Sequence, residues 1–359
     1  MKYQKKSVPV LPLRTAIIGF GLSGKAFHAP FLFSSKKFTL VKILTTRTEE
    51  AKAAYPSAEV AETLSEILLD KSIEAVVVTS PNEYHFPHAK AALQNGKHVI
   101  LEKPFAVSSE DGKKLIAFAK KKKKVLAVYQ NCRWHGDFLT VKKIIASKAL
   151  GDIVDFESHF DRYRPEAEKK KWRNQDRPGS GVLFDLGPHL IDQALVLFGD
   201  PEGIFADIRL ARKKATVDDT FEIKLYYKTM RVTLKAGVLV KEAGARFAIH
   251  GTKGSFVKFG IDPQEAALRA GLMPTSKSWG SDAKEWFGVL NTEGKPKKVI
   301  PTERGNYMGF FDNVYEAIRN NKELEVTPQQ ALKNIRLIEL AFKSSDMKRV
   351  INLKTINLK

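Results

Sequence analysis

Along the first 130 residues, apolar positions alternate between two rhythms, short unbroken runs and stretches that repeat at helical spacing. Residues 14–18, 38–45, 74–79, 98–101 and 125–130 read as strands, and Ala75-Val76-Val77-Val78 is continuous in the manner of a parallel strand covered on both faces. Between them the spacing predicts helices over 24–33, where Pro30 should kink or end the helix, 48–55, closed by Pro56, 65–69, 84–95, stopped by Gly96, and 109–122. Strand and helix in turn, joined by short links, is the pattern of an α/β doubly wound parallel sheet, assigned to residues 1–130.

From Asn131 the rhythm changes. A helix at 138–147 is followed by six strand-like runs, at 153–162, 204–212, 220–227, 230–240, 246–250 and 255–259, with no long helices between them. Such runs predict an open, largely antiparallel sheet. Residues 262–272 read as helix and 277–301, rich in Gly, Pro and charge, as loop. Amphipathic helices are expected at 306–319 and 328–343, the second opened by Thr327-Pro328-Gln329-Gln330, a capping box with proline at the first helical position. Residues 131–359 therefore form a second, α+β domain, without internal repeats or a low-complexity linker.

The first strand breaks into Gly19-Phe20-Gly21-Leu22-Ser23-Gly24, with glycines at the spacing G-x-G-x-x-G. In a strand–turn–helix unit the first glycine makes the turn, the second lets a pyrophosphate approach the backbone, and the third lets helix and strand pack closely. The anion then rests on the next helix N-terminus. Alone the motif is weak; on the first turn of a Rossmann-like sheet it predicts a dinucleotide. The ribose hydroxyls of NAD call for a carboxylate at the end of the second strand, but here the chain reads Thr45-Thr46-Arg47 with none before Glu49. Thr46 and Arg47 suit a 2′-phosphate, so NADP is expected, with NAD as the alternative. Two further strand ends, Thr79-Ser80-Pro81-Asn82 with His85, and Glu102-Lys103, are candidates to contact the ribose and nicotinamide.

Composition narrows the partners. The 359 residues are 43% apolar and 28% charged, enough for two domains with buried cores. No run approaches the ~20 apolar residues of a membrane span, and the basic N-terminus, interrupted by Pro9 and Pro12, lacks a signal-peptide pattern. A single cysteine, Cys132, excludes an internal disulfide and fits a cytoplasmic protein. The eight histidines show no ligand spacing on a helix, so no metal is expected. The net charge of +20 raises the question of nucleic acid, but the densest lysine run, 120–124, falls in the last turn of a helix, where cations meet the negative end of the dipole. No nucleic-acid-binding signature accompanies it, and a solvated face is the reading.

Together, the Gly19–Gly24 motif, Ser80-Pro81-Asn82 with His85, Glu102-Lys103-Pro104 and Asp185-Leu186-Gly187-Pro188-His189-Leu190-Ile191-Asp192 resemble the Gfo/Idh/MocA family of NAD(P)-dependent oxidoreductases over nearly the whole chain. The 20–30 segment, residues 131–134 and Phe160-Asp161-Arg162-Tyr163-Arg164-Pro165 are most similar to its group of NADP-dependent scyllo-inositol dehydrogenases, although Cys132 and His135 stand where that group is expected to carry Arg and Asp. The resemblance implies a polyol or sugar substrate, a pocket lined by Asn131, His159, Arg162, Tyr163, Trp172 and Arg173 together with Asp185 and His189, and a homodimer or homotetramer built through the open sheet.

The chemistry is expected at residues 185–192. Pro188 is tolerated at a helix start, so His189 should fall in the first helical turn, where the positive end of the helix disfavours imidazolium and leaves a neutral general base. Hydride transfer from a carbinol carbon needs a base for the hydroxyl proton, which assigns His189 as general acid/base, Lys103 as hydrogen-bond donor to the reacting oxygen and second candidate for proton carrier, and Asp185 as the group that orients substrate or base. A cofactor-sensing binding protein without turnover and a reductase of another carbonyl or imine remain open.

Overall fold

The computed structural model describes residues 11–166, 175–356 and 358. Six strands, β1 (Leu13–Ile18), β2 (Phe38–Leu44), β3 (Glu59–Ala61), β4 (Ala75–Val78), β5 (His98–Leu101) and β6 (Leu126–Val128), pair in parallel in the order β3-β2-β1-β4-β5-β6. The order reverses beside β1, so the carboxyl ends of β1 and β4 open a crevice at the switch point. Ala16, Ile17, Val76, Val77 and Val78 are fully buried, because helices cover both faces. Those helices are α1 (Ala29–Ser34), α2 (Thr48–Ala54), α3 (Leu64–Leu68), α4 (His85–Gln94) and α5 (Ser109–Lys122). Strand β3 went unpredicted, being three residues with Glu59 exposed, too short to carry a period.

Pro30 does not end the first helix. Residues Ser23–His28 wind as a wide π turn in which the Ala29 N–H reaches back to the Gly24 carbonyl. Pro30 then stands in the first turn of α1, where a missing N–H is harmless, and the helix runs on to Ser34.

Among the described residues the second sheet has nine strands: β7 (Ile153–His159), β8 (Gly203–Arg209), β9 (Thr220–Tyr226), β10 (Arg231–Gly237), β11 (Phe247–Gly251), β12 (Gly254–Lys258), β13 (Gly288–Thr292), β14 (Lys298–Ile300) and β15 (Ile351–Asn352). Their order is β14-β13-β12-β11-β7-β10-β9-β8-β15, antiparallel except for β7 beside β10. The expectation of loop over 277–301 fails at β13 and β14. Neither has enough alternating apolar residues to read as a strand alone, and both are held by pairing outward from β12.

After α6 (Gly136–Ala146), a long helix, α7 (Gly181–Phe198), does intervene between β7 and β8. It lies between the sheet and α10 (Pro328–Met347), which buries Leu183, Leu190, Ile191 and Ala194 completely. The remaining helices are α8 (Gln264–Arg269) and α9 (Met308–Asn320). The capping box at α10 forms: Thr327 Oγ1 accepts from the Gln330 N–H at 3.3 Å, and Gln330 Oε1 accepts from the Thr327 N–H at 3.1 Å. Helix α9 crosses back to the first sheet, stacking Phe311 on Phe31 at 5.1 Å and clamping Glu74 with Arg319 at 2.6 and 2.8 Å.

Candidate functional site

The glycine turn follows β1. Gly19 takes φ +97°, its N–H bonds the Leu44 carbonyl at 3.0 Å, and its own carbonyl accepts from the Thr79 hydroxyl at 2.6 Å. A Cβ on Gly24 would run into the Gly19 carbonyl, so the third glycine lets the helical turn close on the strand. A Cβ on Gly21 would meet nothing within 4 Å, so the second glycine borders open space. These are the properties a pyrophosphate cradle needs, and the residues fit a dinucleotide. Beyond β2, Thr46 and Arg47 are exposed; the Arg47 guanidinium lies 3.7 Å from Glu50, which Lys25 meets at 2.5 Å.

Strand β5 delivers Glu102 and Lys103 to the same edge. Glu102 Oε1 accepts from the Ser23 hydroxyl and faces His28 Nε2 at 2.8 Å, while Oε2 accepts from the Lys103 N–H at 3.0 Å. Burial works against a charge on Glu102, but the His28 hydrogen bond, the nearby charges and the Ser23 hydroxyl outweigh it and hold its carboxyl below the usual range. The Lys103 ammonium donates to the Asp185 main-chain oxygen at 2.7 Å and to Oδ1 at 3.2 Å; Arg162 stands 3.6 Å from Oδ2.

Helix α7 starts seven residues before Pro188, and this corrects the expectation for His189. Its first turn is capped from outside the helix: the Leu183 N–H donates to Asp218 Oδ2 at 2.7 Å and the Val182 N–H to the Asp218 carbonyl at 2.9 Å. His189 thus lies deep in the helix, and the helix end is not what keeps it neutral. Burial, followed by the charges of Lys103, His135 and Arg162, pushes its imidazole well below the ordinary value, with Asp185 opposing. Pro188 removes the N–H that the Phe184 carbonyl would bind, and the carbonyl of the next residue, Asp185, accepts from Lys103. Asn334 Nδ2 holds the Pro188 carbonyl at 2.5 Å.

Residues 13–130 match the Gfo/Idh/MocA oxidoreductase family's NAD-binding Rossmann fold, and residues 142–353 match the C-terminal alpha/beta domain of the same family. The chain belongs to the Gfo/Idh/MocA oxidoreductase family. Among its relatives, scyllo-inositol 2-dehydrogenase (NADP(+)) IolW of Bacillus subtilis (strain 168) is 42% identical over 345 residues, 95% of this chain and 96% of that protein. D-glucoside 3-dehydrogenase of Escherichia coli (strain K12) is 30% identical over 55% of this chain and 57% of its own. The solved structure of the Bacillus subtilis oxidoreductase yvaA superposes with a TM-score of 0.93 at 42% identity, covering 97% of this chain and 100% of that one.

Other residues expected from the Gfo/Idh/MocA pattern have varied placements. His85 is fully buried with Nδ1 2.8 Å from the Pro104 carbonyl and Nε2 3.0 Å from that of Ser80; burial lowers its basicity, and the neutral ring donates to one of the two. The Ser80 hydroxyl meets His88 Nδ1 at 3.0 Å, and Asn82 donates to the Gly179 carbonyl at 2.6 Å, joining the two domains. Asn131 lies in the turn after β6, its Oδ1 3.9 Å from the Cys132 sulfur. His159 sits between Glu157 and Asp161, at 3.2 and 3.6 Å, rather than on the Lys103–Asp185 pair. Tyr163 is exposed, with Lys241 5.9 Å from its ring centre. Trp172 and Arg173 lie outside the described residues. Sequence reasoning assigned no role to His28, although an imidazole inside Ala26-Phe27-His28-Ala29-Pro30 was a signal.

Proposed function

We propose that this chain is an NADP-dependent oxidoreductase that moves a hydride between the nicotinamide and a secondary carbinol carbon of a polyol, an inositol or a sugar. The observation that carries the reading is the Lys103–Asp185 pair beside a buried His189 of depressed basicity, at the crevice where the glycine turn opens. The dinucleotide, when bound, supplies the hydride acceptor. The residues assigned to hold it are Gly19, Phe20, Gly21, Leu22, Ser23 and Gly24 at the phosphates, Thr46 and Arg47 at the 2′-phosphate, and the 79–82 and 102–103 strand ends beyond.

His189, kept neutral, takes the hydroxyl proton. Lys103 donates a hydrogen bond to the same oxygen and stabilises the negative charge that develops there. Asp185 fixes the direction of the ammonium and, held also by Arg162, presents an acceptor for a second substrate hydroxyl. NADP rather than NAD is favoured by Thr46 and Arg47 and by the cofactor in the name of IolW. The open face of the nine-stranded sheet is the surface for a second copy of the chain, a reading that light scattering tests.

Fluorescence titration with NADPH and NADH tests the cofactor, and a screen of inositols, keto-inositols and aldoses at the nicotinamide absorbance band tests the substrate. Tight NADPH binding with turnover of a polyol or sugar is expected. Absence of NADPH binding overturns the reading, equal kcat/KM with NADH overturns the assignment of Arg47, and binding without any turnover marks a cofactor sensor.

A further inference from the structure

We propose that His28 is a positioning residue that couples the seat of the dinucleotide to the backbone of Lys103, an inference that rests on the function proposed above. His28 is buried completely, its ring centre 4.4 Å from that of Tyr129 and 5.8 Å from that of Phe311. An imidazole in such a place costs free energy unless its polar atoms are matched, and an apolar side chain fills the same space more cheaply. What the imidazole adds is Nε2, 2.8 Å from Glu102 Oε1. An ionised carboxylate only accepts, so Nε2–H is the donor.

Ser23, inside the glycine motif, donates to the same oxygen, and the other oxygen of Glu102 takes the Lys103 N–H at 3.0 Å. The wide turn explains how two residues five apart reach one atom. In a regular α-helix such residues point about 140° apart. The π winding of Ser23–His28, closed by the bond from the Ala29 N–H to the Gly24 carbonyl, brings them to one side. A device of this kind joins the glycine turn, through Ser23 and His28, to Glu102, from Glu102 to the Lys103 amide, and from the Lys103 ammonium to Asp185. When a dinucleotide fixes the glycine turn, it fixes this chain of contacts with it.

The test compares His28→Leu, which removes the donor, with His28→Gln, whose amide nitrogen reaches the position of Nε2. NADPH binding is read by fluorescence and by the rise in Tm on adding NADPH, and kcat is read with scyllo-inositol at saturating NADP. For His28→Leu we expect the NADPH Kd to rise about tenfold, kcat to fall about tenfold and the NADPH-induced Tm rise to shrink, with His28→Gln within about threefold of the native protein on each.

A folded His28→Leu variant with native Kd and kcat overturns the coupling. So does a His28→Gln variant as impaired as His28→Leu, because ring packing on Tyr129 then accounts for everything. Should His28→Leu not fold, Glu102→Gln takes its place; its single oxygen can face the Lys103 N–H or the Ser23 and His28 donors but not both, and native behaviour in it has the same meaning. Failure of the native protein to bind NADPH sinks the functional reading itself and is seen before any variant is made.

Discussion

The ammonium of Lys103 and the main-chain carbonyl of Asp185 meet at 2.7 Å, across the seam between the sheet of the first domain and helix α7 of the second. Lys103→Met keeps the aliphatic stem and removes this donor, while Arg162 remains within 3.6 Å of Asp185 Oδ2 to limit the loss of charge balance. Steady-state kinetics should show kcat lower by about 10²–10³-fold. The NADPH Kd should rise far less than kcat falls, because Lys103 is assigned to the nicotinamide end while the phosphates are assigned to the glycine turn. A Lys103→Met protein with near-native kcat removes Lys103 from the chemistry.

His189 makes a prediction about pH. Burial and the Lys103 charge hold its imidazole well below the ordinary value of 6.5, so it is unprotonated throughout the neutral range. For alcohol oxidation, kcat should therefore stay flat from neutral pH down through 6.5, its acid limb lying lower. Removing a cation favours protonation, so the limb should move to higher pH in Lys103→Met. A native limb centred at 6.5 contradicts the environment seen here.

Two glycines of one motif should fail differently. Gly21→Ala places its methyl in open space, so Tm should stay near native while NADPH affinity falls by about tenfold or more, the methyl occupying the approach of the pyrophosphate. Gly24→Ala drives its methyl into the Gly19 carbonyl and against Thr79 Oγ1 at 3.0 Å, so stability and binding should fall together. Thermal melts and fluorescence titration on both variants separate the cases. Equal loss of Tm in both places Gly21 in the packing instead.

What the chain's pattern makes legible is what it encodes locally. The unbroken Ala75–Val78 run, the glycine spacing and the Thr327–Gln330 capping box each specify their structure within a few residues, and each forms as expected. The misses depend on distant partners. Helix α7 is capped by Asp218, 35 residues from Leu183, while the local N-cap residue Ser180 makes no side-chain cap bond, and Pro188, which reads as a helix beginning, is an interior residue. Strand β13 exists through pairing to β12 and β14 through pairing to β13, and the meaning of His28 depends on Glu102, 74 residues away. Residues 185–192 are where the pattern places the chemistry; their helical position, and the cause of His189's neutrality, needed the tertiary structure.

That distant cap carries the last prediction. Burial pushes the Asp218 carboxyl up to about 6, against the hydrogen bond from the Leu183 N–H. Because the folded value lies above the ordinary 3.8, the folded chain keeps a proton between about pH 4 and about pH 6 that the unfolded chain has already lost. Stability from this group is therefore fully present below that window and declines as pH rises through it, by no more than about 3 kcal/mol, reduced by the solvent that reaches the partly open side of the group. Asp218→Asn cannot ionise, yet its Oδ1 still accepts from Leu183. The stability of the native protein minus that of Asp218→Asn, measured by urea unfolding at pH 4, 5, 6 and 7, should fall from pH 4 to pH 6 and level off beyond. A difference that is constant, or that rises with pH, means that the carboxylate at the head of α7 is better solvated or better held by the helix N-terminus than its burial implies.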